Sequence, residues 1–149
     1  MNGAAERFFL DTNVLIYWMD TSDHAKHADA CRWVKAIWEN SRGAISWQVL
    51  NEFYYNATRK LALPAPGART LVESYSQWSP VTFELPLLRR AWYWMDHASV
   101  SYWDALIVAA AEIAGCKYLL SEDFQAGRKF DDLTVVDPFL SAPDEFGFA

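Results

Sequence analysis

Apolar residues along this chain recur in two rhythms, short continuous runs and stretches at helical spacing, and the two alternate from one end to the other. Arg7-Phe-Phe-Leu-Asp11 is a short apolar run closed by an acid, which predicts a buried strand. Thr12 to Trp18 continues as a helix. Beyond the turn-forming Asp20-Thr-Ser-Asp23, apolar residues at Ala28, Cys31, Val34, Ile37 and Trp38 predict a helix from His24 to Glu39, with Ser22 or Asp23 as its cap. Gly43-Ala-Ile-Ser46 predicts a second strand, and Ser46 caps a helix from Trp47 to about Leu61. Pro64 and Pro66 punctuate the chain before a helix over roughly Gly67 to Trp78. Pro80-Val-Thr-Phe83 predicts another strand, and Pro86 opens a helix reaching about His97. Ser101 caps a helix from Tyr102 to about Ala114, which Gly115 stops. Lys117–Ser121 and Leu133–Val136 complete the strands, and no repeat or low-complexity stretch interrupts the order.

Strand and helix in alternation, with short joints, place the chain in the α/β class. The expected architecture is a three-layer α/β/α sandwich around a central parallel sheet. A length of 149 residues suits a single domain, 1–149, with a core over about 7–137. In such folds ligands bind beyond the carboxyl ends of the strands. Asp11 and Asp123 both fall there.

Two more acids join them near the starts of helices that would pack beside those strands. Asp11 could simply cap the helix at Thr12, but Thr12 and Asn13 could do that work as well, so three polar residues at one joint point to a site. Glu52 lies on a mixed helix face flanked by Asn51 and Tyr55. Asp104 completes a Ser101-Tyr-Trp-Asp104 sequence of capping-box form and opens the very apolar Ala105–Ala111 segment. Asp123 competes with Glu122, since either could point inward from the turn. Carboxylates brought together in this way repel one another unless a cation intervenes. Oxygen ligands without Cys or His at ligand spacing suit Mg²⁺ or Mn²⁺, ions that activate water for phosphodiester hydrolysis.

Composition adds constraints. With 52% hydrophobic and 21% charged residues the chain folds, and long disorder is excluded. Eight Trp in an aromatic share of 16% exceed what one small core buries, so some rings are expected on a surface that a partner covers. The formal net charge of −6 argues against a nucleic-acid partner, although a metal-binding acid cluster supplies part of it. The 13 Lys and Arg residues could still form a local basic patch. The start of the chain has no basic segment followed by a long apolar one. The longest apolar run, Ala105–Ala111, is too short to span a bilayer, so a cytoplasmic location without membrane attachment is expected. Cys31 and Cys116 are read as reduced thiols, and His24, His27 and His97 as surface residues rather than ligands.

The segments Phe9-Leu-Asp-Thr-Asn-Val-Leu-Ile16, Gln48-Val-Leu-Asn-Glu-Phe53, Ser101-Tyr-Trp-Asp-Ala-Leu-Ile-Val-Ala-Ala-Ala111 and Leu119-Leu-Ser-Glu-Asp-Phe124 resemble those of PIN-domain ribonucleases. The resemblance is strongest to the VapC-type toxins of bacterial toxin–antitoxin pairs and spans roughly residues 7 to 137. It implies that Asp11, Glu52, Asp104 and Asp123 are metal-site acids for Mg²⁺ or Mn²⁺. It also implies that Thr12, Asn13 and Ser121 orient ligands or water. A metal-dependent endoribonuclease is implied, acting on single-stranded regions of structured RNA. It would be dimeric and silenced by an antitoxin protein whose basic C-terminal segment reaches the acids. Trp92-Tyr-Trp-Met-Asp-His97 is more aromatic and less basic than an RNA groove should be. Tyr93, Trp94 and Trp103 could stack on bases, but core packing or dimer contact is the preferred account.

Two other readings compete. A catalytically inactive PIN-like module would bind RNA or protein without cutting. A phosphatase of the haloacid-dehalogenase type also carries an Asp after its first strand, but needs a second Asp two residues later, where this chain has Asn13.

Overall fold

The computed structural model describes residues 5–148. Three strands of the expected order carry the centre of the sheet: β1 (Phe8–Leu10), β3 (Tyr118–Leu120) and β5 (Leu133–Val136), with β2 (Gly43–Ala44) outside β1 and β4 (Lys129–Phe130) outside β5. The strand order is β2-β1-β3-β5-β4. All pairings are parallel except β4 with β5, so the sheet is mostly rather than wholly parallel. The β4 strand was not expected. It is a two-residue edge strand whose Lys129 is exposed, and so short a segment shows no alternation to read.

Among the described residues six helices flank the sheet: α1 (Thr12–Met19), α2 (His24–Glu39), α3 (Trp47–Arg59), α4 (Ala65–Tyr75), α5 (Leu85–Ala98) and α6 (Tyr102–Ile113). They associate as α1 with α2 and α3, α3 with α4, and α5 with α6, consistent with the expected three-layer sandwich. Side-chain caps set several starts. Asp23, rather than Ser22, accepts from Lys26 N at 3.1 Å; Ser46 accepts from Val49 N, and Ser101 from Asp104 N. Gly115 takes φ +73° immediately after α6, a conformation that other residues adopt only at a cost.

One expected strand is absent. Across 80–83 only Val81 joins the sheet, through a single parallel bridge to Ser46 with Val81 N to Ile45 O at 3.0 Å. Pro80 has no N–H to extend the ladder, and Phe83 points to solvent as the chain turns into α5. Two helix details also differ. The buried face of α2 is Ala30, Trp33, Val34 and Ile37, while Ala28 and Trp38 are exposed. The helix expected from Gly67 begins at Ala65, with Pro66 in its first turn, and its last residues, Ser76–Trp78, tighten into a 3-10 turn.

The core lies on β1, β3 and α6. Phe8, Phe9 and Leu10 are fully buried, and Ala105–Ala111 is buried all round, which explains an apolar run without helical periodicity. Packing continues past residue 137. Trp33 donates Nε1 to Pro138 O at 3.1 Å and Ser141 O at 3.0 Å, while Phe146 and Phe148 pack on Phe8. Among the described residues no helix is long and apolar enough to cross a membrane.

Candidate active site at the carboxyl ends of β1 and β3

The chain leaves β1 for β2 on one side and returns to β3 on the other, so strand order reverses between β1 and β3. Open α/β sheets place their ligand sites at such a switch point, because the loops there diverge and leave a crevice. Leu10 pairs with Leu120, so Asp11 and Ser121 emerge side by side, with Asp11 N bonded to Leu120 O at 3.1 Å.

Asp11 is 5% exposed and its carboxylate is fully engaged. It accepts from Thr12 N at 2.8 Å, from the Ser121 hydroxyl at 2.8 Å and from the Asn13 amide at 3.3 Å. The Asn13 amide also donates to Ser121 Oγ and Asp123 Oδ2, each at 3.1 Å, so one side chain spans the loops after β1 and β3. Glu52, on the second turn of α3, accepts from Thr12 Oγ1 at 2.7 Å and from Gln48 Nε2 at 3.0 Å, which fixes both its oxygens. Gln48 reaches on to Trp103 O at 3.3 Å, tying the start of α6, and with it Asp104, to α3.

The electrostatics join all four acids. Burial pushes the Asp11 carboxyl up to about 7 against the pull of its Ser121 and Thr12 bonds, and repulsion from Asp123 and Glu52 adds to the rise. Asp104 is raised for the same reason, burial first, opposed by Ser101 and reinforced by Asp123 and Glu52. Among the described residues the carboxylates do not converge as a group of three or more poised to hold a metal. Asn13, Ser121 and Thr12 lie between them. The donors are nonetheless all hard oxygens, and the buried, mutually repelling charge fits a divalent cation such as Mg²⁺ or Mn²⁺.

The structure separates the two competing acids at the turn after β3. Glu122 pairs with Lys26 at 2.7 Å, whereas Asp123 receives Asn13. Of the aromatic residues singled out for stacking, Trp94 is buried against Phe130, with Nε1 on Glu112, and Tyr93 stacks on His97. Trp103 is 62% exposed beside Asp104. His27 meets Tyr17 O at 3.0 Å and lies close to the Cys31 thiol, and the described His residues join no metal-holding group. Both cysteines are free. Sequence reasoning missed Gln48, whose signal was a buried amide one turn before Glu52, and the Lys26–Glu122 pair, for which contact across 96 positions left no local sign.

The PIN-domain family model matches residues 8–131. The chain belongs to the PIN-domain family. Among solved structures the PIN fold here is similar to that of a toxin–antitoxin complex from Klebsiella pneumoniae, at 17% identity over 91% of this chain and 98% of that one, TM-score 0.64. It is also similar to Mycobacterium tuberculosis VapC20, a Sarcin-Ricin loop cleaving toxin, at 20% identity over 75% and 86%, TM-score 0.57. A third is VapBC2 from Rickettsia felis bound to a DNA fragment from its promoter, at 15% identity over 86% and 96%, TM-score 0.59. Comparison with curated proteins gives no match. Family membership and the multiple bonds of Asn13 together remove the haloacid-dehalogenase reading.

Proposed function

We propose that this PIN protein is a Mg²⁺- or Mn²⁺-dependent endoribonuclease, the toxin of a cytoplasmic toxin–antitoxin pair. The observation that carries the reading is Asp11, a buried carboxyl at the switch point, raised to about 7 and coupled to Glu52 and Asp123. A structural cap needs no such surroundings, because its ordinary place is a solvated helix end. Strongly perturbed acids in a crevice are the usual mark of a reaction centre. PIN domains are generally dependent on divalent metal, which agrees with the donor set.

In this reading Asp11, Asp104 and Asp123 hold the cation, and Glu52 holds a second ion or positions the attacking water. The cation supplies Lewis-acid stabilisation of phosphoryl charge and a water of lowered pKa. The protein supplies orientation. Ser121 and the Thr12 N–H lock the Asp11 carboxylate, Thr12 and Gln48 lock that of Glu52, and Asn13 keeps Asp11 and Asp123 at a fixed separation. A first set of side chains fixed by a second is what preorganised charge stabilisation requires.

Toxin–antitoxin neighbours support a protein antitoxin as partner, and homodimerisation accords with the exposed aromatic surface. The test is expression of the chain with and without its neighbouring gene product, followed by mapping of new RNA ends. Growth arrest relieved by the neighbour, with discrete RNA cuts that vanish in Asp11→Asn, is expected. RNA binding with no cleavage under any divalent ion would favour an inactive binding module instead.

A further inference from the structure

From the acidic site a polar groove of about 360 Å³ runs between α1 and α3. Its walls are two helical stripes at spacings of four residues, Thr12, Ile16 and Asp20 on one side and Glu52, Asn56 and Lys60 on the other. The Thr12–Glu52 bond aligns the stripes at the site, and Asp20 and Lys60 end them about 12 Å away by helical rise. Among the described residues that line the groove, Lys60 alone is basic.

Its ammonium is uncommitted. Among the described residues Lys60 makes no ion pair, and its one hydrogen bond is from its backbone N–H to Asn56 O at 2.8 Å. The facing Asp20 carboxylate is turned to Ser22, accepting from its N–H at 2.9 Å and its hydroxyl at 2.7 Å. Lys26, the cation beside the same loop, is held by Glu122. A chain of net charge −6 that handles a polyanion needs local positive charge where the strand passes. A free ammonium at the end of a groove leading from the reaction centre meets that need. Four acids, Asp20, Glu52, Glu122 and Asp123, line the same groove, so Lys60 is the one point along it that attracts a phosphate.

We propose that this groove is the track for the RNA strand flanking the scissile phosphate, and that Lys60 holds a backbone phosphate of that strand. The inference rests on the ribonuclease reading and assigns Lys60 as a positioning residue. Ile16 and Tyr17 on the α1 wall offer apolar surface to the bases, while Asn56 offers an amide.

The probe is a single-stranded RNA oligonucleotide containing a mapped cut site, with binding measured in EDTA across a salt series and cleavage in Mg²⁺. Lys60→Gln is expected to weaken binding about fivefold at low salt. It should also flatten the log–log salt slope by about 0.7, the contribution of one phosphate contact in a single strand. KM rises by a similar factor while kcat stays within about twofold, and Lys60→Arg restores both. A Lys60→Gln protein that cleaves with unchanged KM and salt slope overturns the groove assignment while leaving the ribonuclease reading intact. Wild-type protein that neither binds nor cuts RNA overturns both. Lys60→Gln that weakens a protein complex and leaves RNA binding unchanged also overturns the assignment.

Discussion

Asp11 carries the strongest residue-level prediction, because its raised pKa is a statement about stability. A carboxyl near 3.8 in the unfolded chain and about 7 in the native one binds its proton more tightly when folded. Its contribution is therefore fully present below about pH 4 and lost as pH rises through 7. Asp11→Asn removes the ionisation, so in metal-free buffer the mutant should be the more stable protein at pH 8, by up to about 4 kcal/mol, with the difference closing toward pH 4. Urea melts of both proteins across that range measure it. Thr12→Val tests orientation separately. Losing the 2.7 Å bond to Glu52 is expected to slow cleavage about 10- to 100-fold with little change in melting temperature. At this scale Asp11 stood out in the sequence because an acid closing an apolar strand is conspicuous. Glu122 and Asp123 could not be told apart, since the choice is made by Lys26 and Asn13, which arrive from α2 and α1.

Elements read from sequence succeed where local chemistry decides them. Ser46, Ser101 and Gly115 mark helix ends that the structure keeps, because capping and positive φ are properties of a few adjacent atoms. Pro80–Phe83 failed as a strand and β4 went unseen because sheet membership depends on a neighbour distant in sequence. Gly43 shows the same dependence. A Cβ there would clash with the Trp78 ring, so a side chain in β2 at this position would force that ring to shift. Gly43→Ala should cost about 1 to 3 kcal/mol in urea unfolding, and Trp78→Leu in the same chain should recover part of it.

The whole molecule brings together what the chain separates. Four acids spread from residue 11 to residue 123 come within electrostatic reach of one another because β1 and β3 are in register and Gln48 ties α3 to α6. Alternation of elements pointed to the strand-end positions of Asp11 and Asp123, while the bonds that fix the Asp11, Glu52 and Asp123 carboxylates depend on contacts distant in sequence. The net charge of −6 reads differently under the proposed function, since a divalent cation held there would relieve the repulsion among the acids. Mg²⁺ or Mn²⁺ at 100 times its dissociation constant should therefore raise wild-type stability by about 2.7 kcal/mol and that of Asp11→Asn far less, as calorimetry would record.

The most direct measurement is cleavage of a structured RNA by purified wild type and Asp11→Asn, each with Mg²⁺, with Mn²⁺ and with EDTA, in preparations freed of contaminating nuclease. Discrete cuts by wild type with either metal, none with EDTA and none by the mutant are the predicted result. Cleavage by Asp11→Asn at the wild-type rate, or wild-type cleavage undiminished in EDTA, would contradict a metal-dependent site built on Asp11.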